Sequence, residues 1–348
     1  MLQIKRAGHS TLTTPDLERT VDYFTRIVGL SLLAREKNRA ILATKAGLEA
    51  VVLERGRDVA APRLSLQIAP NSDLGEVASR LKKAAIRSER RSDITPGIAE
   101  AIAFKDPKGT TLEIFAQCAF APDDDSFAGV MPLKLGHIAY QCPDVQGMVK
   151  FYCDTLGFRV SDWRSDFFAF LRCSRDHHTV NFLRDAKTAI HHIAFEVRDW
   201  SDIKRASDLL AKNGIKLTWG PLRHIIGHNI AIYHKNPEGV TIEFFCEMDQ
   251  MYDEELGFFE PRPWHQDRPQ RPKVWGDDTP SNWWGPMSHS PNRSAASAKP
   301  QPAREAAAAA RAPAKKAASR EKRGANGSNR IPRRRALATR LGKRAKLP

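Results

Sequence analysis

The chain has 348 residues, enough for two domains, and 41% of them are hydrophobic, as a globular core requires. The net charge of +15 is uneven: residues 291–348 carry 17 Lys and Arg against 2 Asp and Glu, whereas residues 1–290 carry 38 of each sign. The body is therefore neutral, and the high pI says nothing about a site within it; no run approaches the roughly 20 apolar residues of a membrane span.

In chain order, a first strand holds Gly8-His9-Ser-Thr-Leu-Thr-Thr14. Pro15-Asp16 opens a helix with Leu17, Val21, Phe24 and Val28 at helical spacing, and Gly29 is placed to end it. Strand-like runs follow at Leu32-Leu33 and from Ala40 to Leu53. A second unit starts at Pro62–Ile68, continues in a helix over about 72–85 with Leu74, Val77 and Leu81 inward, and closes on Ala101–Phe104, the turn Asp106-Pro-Lys-Gly109 and Thr111–Phe115. Residues 118–133, with the acidic run Asp123-Asp-Asp125, read as a linker.

The pattern then repeats. Gly136-His137, five residues, Pro143-Asp144, a helix and Gly157 repeat the first copy at an offset of 128. Asn236-Pro-Glu-Gly239 with Glu243 repeats Asp106-Pro-Lys-Gly109 with Glu113 at an offset of 130. Self-similarity over about 130 residues means a duplicated domain. The expected fold is α+β: four βαβββ modules in two domains, 1–117 and 134–248. Residues 249–290 form a Trp/Pro-rich extension, too rich in proline for a regular element, whose tryptophans suggest that it is strapped onto the body. Residues 291–348 are disordered by composition. The five cysteines form no CxxC pair, which fits reduced thiols, and Met1-Leu-Gln-Ile-Lys-Arg6 lacks the apolar run of a signal peptide. A cytoplasmic location is expected.

The central stretch is Ile190-His-His-Ile-Ala-Phe-Glu-Val197. Alternation puts Ile193, Phe195 and Val197 on a core face and His192, Ala194 and Glu196 on the other. Likewise His137 lies opposite Ile138 and Tyr140, and Glu243 lies opposite Ile242 and Phe244. Three strands thus each send one metal ligand type to the non-core face. Two histidines and a carboxylate are the donor set of a facial triad, which leaves positions open on a ferrous ion.

With G-H-I-A-Y, H-H-I-A-F and I-E-F-F in order on duplicated βαβββ units, the chain resembles the vicinal oxygen chelate superfamily from about Lys5 to Glu247. Within it, the resemblance is to the type I extradiol catechol dioxygenases. It implies Fe(II), with Mn(II) as the alternative, held by His137, His192 and Glu243. It implies that His178 is an acid–base residue near dioxygen, that His224 lies near the substrate oxygens, and that Tyr233 bonds a substrate hydroxyl. The implied partners are a small aromatic diol and dioxygen, in a homo-oligomer. A histidine or Tyr233 would take the proton that the diol loses.

Plainer readings stand beside these. His178 is otherwise a surface histidine beside His177, though Val180 and Phe182 suggest an apolar pocket wall around it. His228 competes with His224, Tyr233 is otherwise a core residue, and His234 and His265 read as structural or exposed. Arg63 stands where the second copy has His192, and a guanidinium does not ligate metal, so the first domain is expected to be metal-free. Competing functions are a glyoxalase-like isomerase or lyase and a binding or resistance protein. The basic tail reads as solvated, with nucleic acid or an acidic surface as the alternative.

Overall fold

A computed structural model describes residues 1–285 except 123, 263, 264 and 266. The expected tail at 291–348, and Asp123, Trp264 and Pro286, lie outside the described residues.

Four βαβββ units follow one another. The first is β1 (Arg6–Thr14), α1 (Leu17–Tyr23), β2 (Ser31–Arg35), β3 (Arg39–Ala43) and β4 (Glu49–Arg55). The second is β5 (Ala60–Gln67), α2 (Leu74–Lys83), β6 (Ser88–Thr95), β7 (Ile98–Lys105) and β8 (Thr111–Phe115). The third is β9 (Lys134–Cys142), α3 (Val145–Phe151), β10 (Arg159–Arg164), β11 (Phe168–Arg172) and β12 (Val180–Arg184). The fourth is β13 (Ala189–Glu196), α4 (Trp200–Lys212), β14 (Leu217–Arg223), β15 (Ile230–Lys235) and β16 (Thr241–Cys246).

Each helix starts at an aspartate whose carboxylate accepts an orphan backbone N–H. Asp16 accepts from Arg19, Asp73 from Gly75, Asp144 from Gly147, and Asp199 from Ser201 and Asp202. α1 and α3 each run on into a π-helical turn that ends at Gly29 (φ 84°) or Gly157 (φ 79°), where only glycine takes the left-handed conformation without strain.

The first two units share an eight-stranded sheet, in order β2-β3-β4-β1-β5-β8-β7-β6. The last two share a nine-stranded sheet that is closed at one edge by a strand of the extension, β19 (Lys273–Trp275), in order β14-β15-β16-β13-β9-β12-β11-β10-β19. Helices and the apolar sheet faces meet in one core that both copies contribute to. Phe24 of the first copy packs edge-on to Phe195 of the second at 6.3 Å, and Phe244 lies 6.4 Å beyond it. Tyr23 and His234 bridge the copies at 2.6 Å from hydroxyl to Nε2. His234 is thus buried and structural.

The extension departs from expectation. It forms a small hairpin, β17 (Met251–Asp253) with β18 (Phe258–Phe259), and the edge strand β19 (Lys273–Trp275), parallel to β10. Pro272 sits just before β19, where a missing N–H costs no ladder bond, so three residues are free to pair. The extension is pinned by both polar groups and tryptophan: His265 and Gln270 are buried, and Trp275 donates its indole N–H to Asp162 at 2.9 Å, while Trp283 and Trp284 are half exposed.

Candidate active site

Three adjacent strands set the floor of the site. His137 on β9 stands opposite Ala194 on β13, and Ala194 stands opposite Glu243 on β16. His192 lies two residues back along β13, on the same face. The methyl group of Ala194 leaves the middle of this row open. The result is a triangle of donor atoms. His137 Nε2 is 3.1 Å from His192 Nε2 and 3.1 Å from Glu243 Oε2, and His192 Nε2 is 3.2 Å from the same oxygen. All three side chains are buried.

The triangle fits a metal ion. Bonds of about 2.1 Å at right angles place neighbouring donors about 3.0 Å apart. Burial pushes His137 down to about 3 and His192 well below the ordinary histidine range, so both rings are neutral with lone pairs to offer. Outer partners aim them. His191 Nδ1 lies 2.6 Å from His192 Nδ1, which takes up that nitrogen and leaves Nε2 for the triangle. Asn229 donates to the other Glu243 oxygen, Oε1, at 3.0 Å.

The remaining expected residues line the same cavity, of about 400 Å³. The His178 ring lies 4.2 Å from that of His137. His224 Nε2 lies 2.7 Å from the Tyr233 hydroxyl, and Trp219 stacks on Tyr233 at 5.2 Å. Burial lowers His224 to about 4 and raises Tyr233 well above its ordinary range, the latter reinforced by the charge of Glu243. Both groups are therefore uncharged at neutral pH, the imidazole with a lone pair to accept with and the phenol with a hydrogen to give. Phe167, Phe168, Phe170, Leu183 and Ile226 make the rest of the wall largely apolar, with Pro280 and Ser281 of the extension at its rim.

Two expectations are corrected here. Val180 and Phe182 do not line the cavity with His178; they are in the core, and Asn181 and Leu183 line it instead. His178 lies in a bend before β12, so strand alternation does not run through it. His178 is buried, so its plainer reading as a surface histidine fails, while His265 is buried and structural.

The first copy shows what a closed version looks like. Arg63 occupies the register position of His192, and Ser65 that of Ala194. Ser65 Oγ donates to Glu113 Oε2 at 2.8 Å and lies 3.0 Å from His9 Nε2. The Arg63 guanidinium is 3.6 Å from the other Glu113 oxygen. The space is filled and the charge is met.

Among the described residues there is one further His, His, carboxylate group: His228, Asp249 and His265. His228 Nδ1 lies 2.7 Å from one Asp249 oxygen, which also accepts from Gln270 at 3.3 Å. His265 Nε2 lies 3.2 Å from the other, with the Arg262 guanidinium at 4.0 Å. This carboxylate is saturated by N–H donors and ties the extension down.

The chain belongs to the Glyoxalase/Bleomycin resistance protein/Dioxygenase superfamily, whose model matches residues 6–114 and 134–244. It is 33% identical over 122 residues to metapyrocatechase 2 of Cupriavidus necator, covering 34% of this chain and 38% of that protein. It is 29% identical over 178 residues to an iron-dependent extradiol dioxygenase of Rhodococcus jostii, covering 45% of this chain and 59% of that one. These matches therefore span less than two thirds of either relative. The fold is similar to that of homoprotocatechuate 2,3-dioxygenase from Brevibacterium fuscum, solved in complex with 3,4-dihydroxyphenylacetate. The TM-score is 0.70 at 21% identity, over 82% of this chain and 90% of that one.

Sequence reasoning missed Asn229, Ser65, His191 as a support for His192, and the partners of His177. One signal was there: in both histidine doublets, His177-His178 and His191-His192, the first ring supports the second through a contact between their Nδ1 atoms.

Proposed function

We propose that the protein cleaves the ring of a catechol next to its diol, adding both atoms of dioxygen, with a divalent metal held by His137, His192 and Glu243. The metal in this reading is Fe(II), with Mn(II) as the alternative. When bound, it would supply the oxygen chemistry. The chain's own residues do the rest. The Tyr233 oxygen takes the proton that the diol loses while its own hydrogen passes to His224 Nε2, 2.7 Å away. His178, beside His137, moves the proton needed on the oxygen side. The phenylalanine wall seats the ring and excludes water, which favours a catechol with an apolar substituent. The proposal extends to a homo-oligomer in the cytoplasm, which light scattering and fractionation test.

The observation that carries this reading is the donor triangle at the floor of a cavity with three separate proton-handling groups around it. A chelating isomerase has no use for all three. The test is protein reconstituted anaerobically with Fe(II) or Mn(II) and given a panel of catechols and oxygen. Oxygen uptake matched by a yellow semialdehyde product supports the proposal. Catechol bound and released unchanged would make the protein a binding protein, and the proposal would fail.

A further inference from the structure

His178 ends a buried line of hydrogen bonds that leads away from the donor triangle. His178 Nδ1 lies 2.9 Å from His177 Nδ1. On the far side of that ring, His177 Nε2 lies 3.0 Å from Asp162 Oδ2. Both His177 and Asp162 are 0% exposed. The same carboxylate accepts from the backbone N–H of Lys273 at 2.8 Å and from the indole N–H of Trp275 at 2.9 Å, both on β19. The site leaves room for this line. Gly227 has φ +81°, and a Cβ there would lie 3.1 Å from His177 Nδ1. The His177 backbone is anchored as well, its N–H donating to the Asp249 carbonyl at 2.8 Å.

We infer that Asp162 and His177 are positioning residues that set the tautomer and ring angle of His178, and that β19 of the extension holds Asp162 in place for this. The inference rests on the proposed role of His178. A carboxylate only accepts, so the hydrogen between it and His177 sits on His177 Nε2. The contact between the two Nδ1 atoms holds a single hydrogen, and with the His177 hydrogen on Nε2 it is His177 Nδ1 that accepts. The hydrogen of the 2.9 Å contact therefore belongs to His178 Nδ1. That leaves His178 Nε2, the opposite ring nitrogen, as a lone pair, and His178 lines the cavity. The reversed tautomer would put a hydrogen there and could not receive one. The Asp–His pair of serine hydrolases sets a tautomer by the same logic; here a second imidazole lies in between. The strap that sequence alone reads as packing thus acts on the site from 111 residues away in the chain.

Asp162→Asn tests this, because the amide keeps the shape but turns one acceptor into a donor. In full-length enzyme, metal content and anaerobic catechol binding should stay within twofold of wild type. KM for catechol should hold while kcat falls roughly 10- to 100-fold, part of the roughly 10²–10⁴-fold that acid–base catalysis supplies. Trp275→Phe, a milder change that removes one donor, should move kcat the same way by less. Adding Asp162→Asn to His178→Phe should cost nothing more, since the line acts only through His178. An equal loss in both backgrounds would overturn the inference. The readout independent of turnover is imidazole ¹⁵N NMR of full-length protein loaded with diamagnetic Zn(II). Wild type should show His178 protonated at Nδ1 and bare at Nε2, and Asp162→Asn should lose that pattern. The opposite tautomer in wild type would also overturn the inference. A wild type that cleaves no catechol would fail the proposed function while leaving the NMR result to stand or fall alone.

Discussion

Ser65 in the first copy and Ala194 in the second hold the same place in their sheets, each facing the glutamate of its parallel neighbour. In one copy a hydroxyl fills the middle of the row; in the other a methyl group leaves it open. The chain should therefore bind one metal ion, and His9→Ala should leave both binding and turnover intact. Arg63→His alone should not add a second ion, because Ser65 still joins His9 to Glu113. Arg63→His with Ser65→Ala should raise the stoichiometry toward two. Metal analysis of the dialysed variants decides this, and two ions in wild type would mean that the copies have been misread.

Removing any corner of the triangle should remove the metal without unfolding the protein. His137, His192 and Glu243 stand on the face away from the main core, so truncation to Ala opens the cavity rather than the packing. Metal content should fall to background with an unchanged far-UV circular dichroism spectrum. A variant with full metal occupancy would exclude that residue as a ligand.

Acid should destabilise the metal-free protein partly through His234. Burial holds this histidine down to about 4, where it bonds Tyr23 between the copies. In the unfolded chain it takes a proton near its ordinary 6.5. Its folded pKa is the lower one, so the unfolded state binds more protons and stability falls as pH falls. The effect is absent above about 6.5, grows downward and levels off near 4; at about 1.4 kcal/mol per pH unit it reaches on the order of 3 kcal/mol. Urea midpoints at pH 7 and pH 5 should converge in His234→Gln relative to wild type. Equal slopes would show that His234 plays no part.

Much of this was legible in the sequence because it depends on local rules. Pro-Asp pairs, αL glycines and strand alternation define the four units, and the offsets of 128 and 130 match positions between copies. The faces of His137, His192 and Glu243 follow from alternation within regular strands. What failed lay where alternation stops or where contacts span long separations. His178 sits in a bend, so its neighbours were assigned to the wrong face. Asp162 meets His177 across a β10–β12 fold and Trp275 across 113 residues, which no periodicity reports. The extension was read by its prolines, although three residues between them suffice for an edge strand.

Deleting residues 291–348 should leave ring cleavage unchanged, because every proposed site residue lies in the neutral body. Adsorption to an anionic resin should vanish with the deletion and, in the full chain, weaken steeply with salt. Lower turnover at equal metal content would make the tail part of the enzyme.

His178→Phe separates proton handling from metal binding. The His178 ring packs at 4.2 Å against His137, yet it makes no corner of the triangle, whose three donors already close on one another at 3.1–3.2 Å. Phenylalanine keeps the ring and its contact with Phe170 while removing both nitrogens. Metal content and anaerobic catechol affinity should hold. Turnover should fall by about 10²–10⁴-fold, the usual worth of general acid–base catalysis, and the loss should be partial where that at His192 is complete. Oxygen consumed should exceed ring-cleaved product, the difference leaving as hydrogen peroxide with an equal amount of o-quinone, because without the His178 proton some catechol gives its two electrons and two protons to dioxygen and is released uncleaved. Stopped-flow turnover at matched metal content, with a peroxide assay alongside, is the measurement. A wild-type rate would move the acid–base role to His224, whose Nε2 is 2.7 Å from the Tyr233 hydroxyl. Loss of the metal would place His178 among its ligands, and the triangle would have to be redrawn.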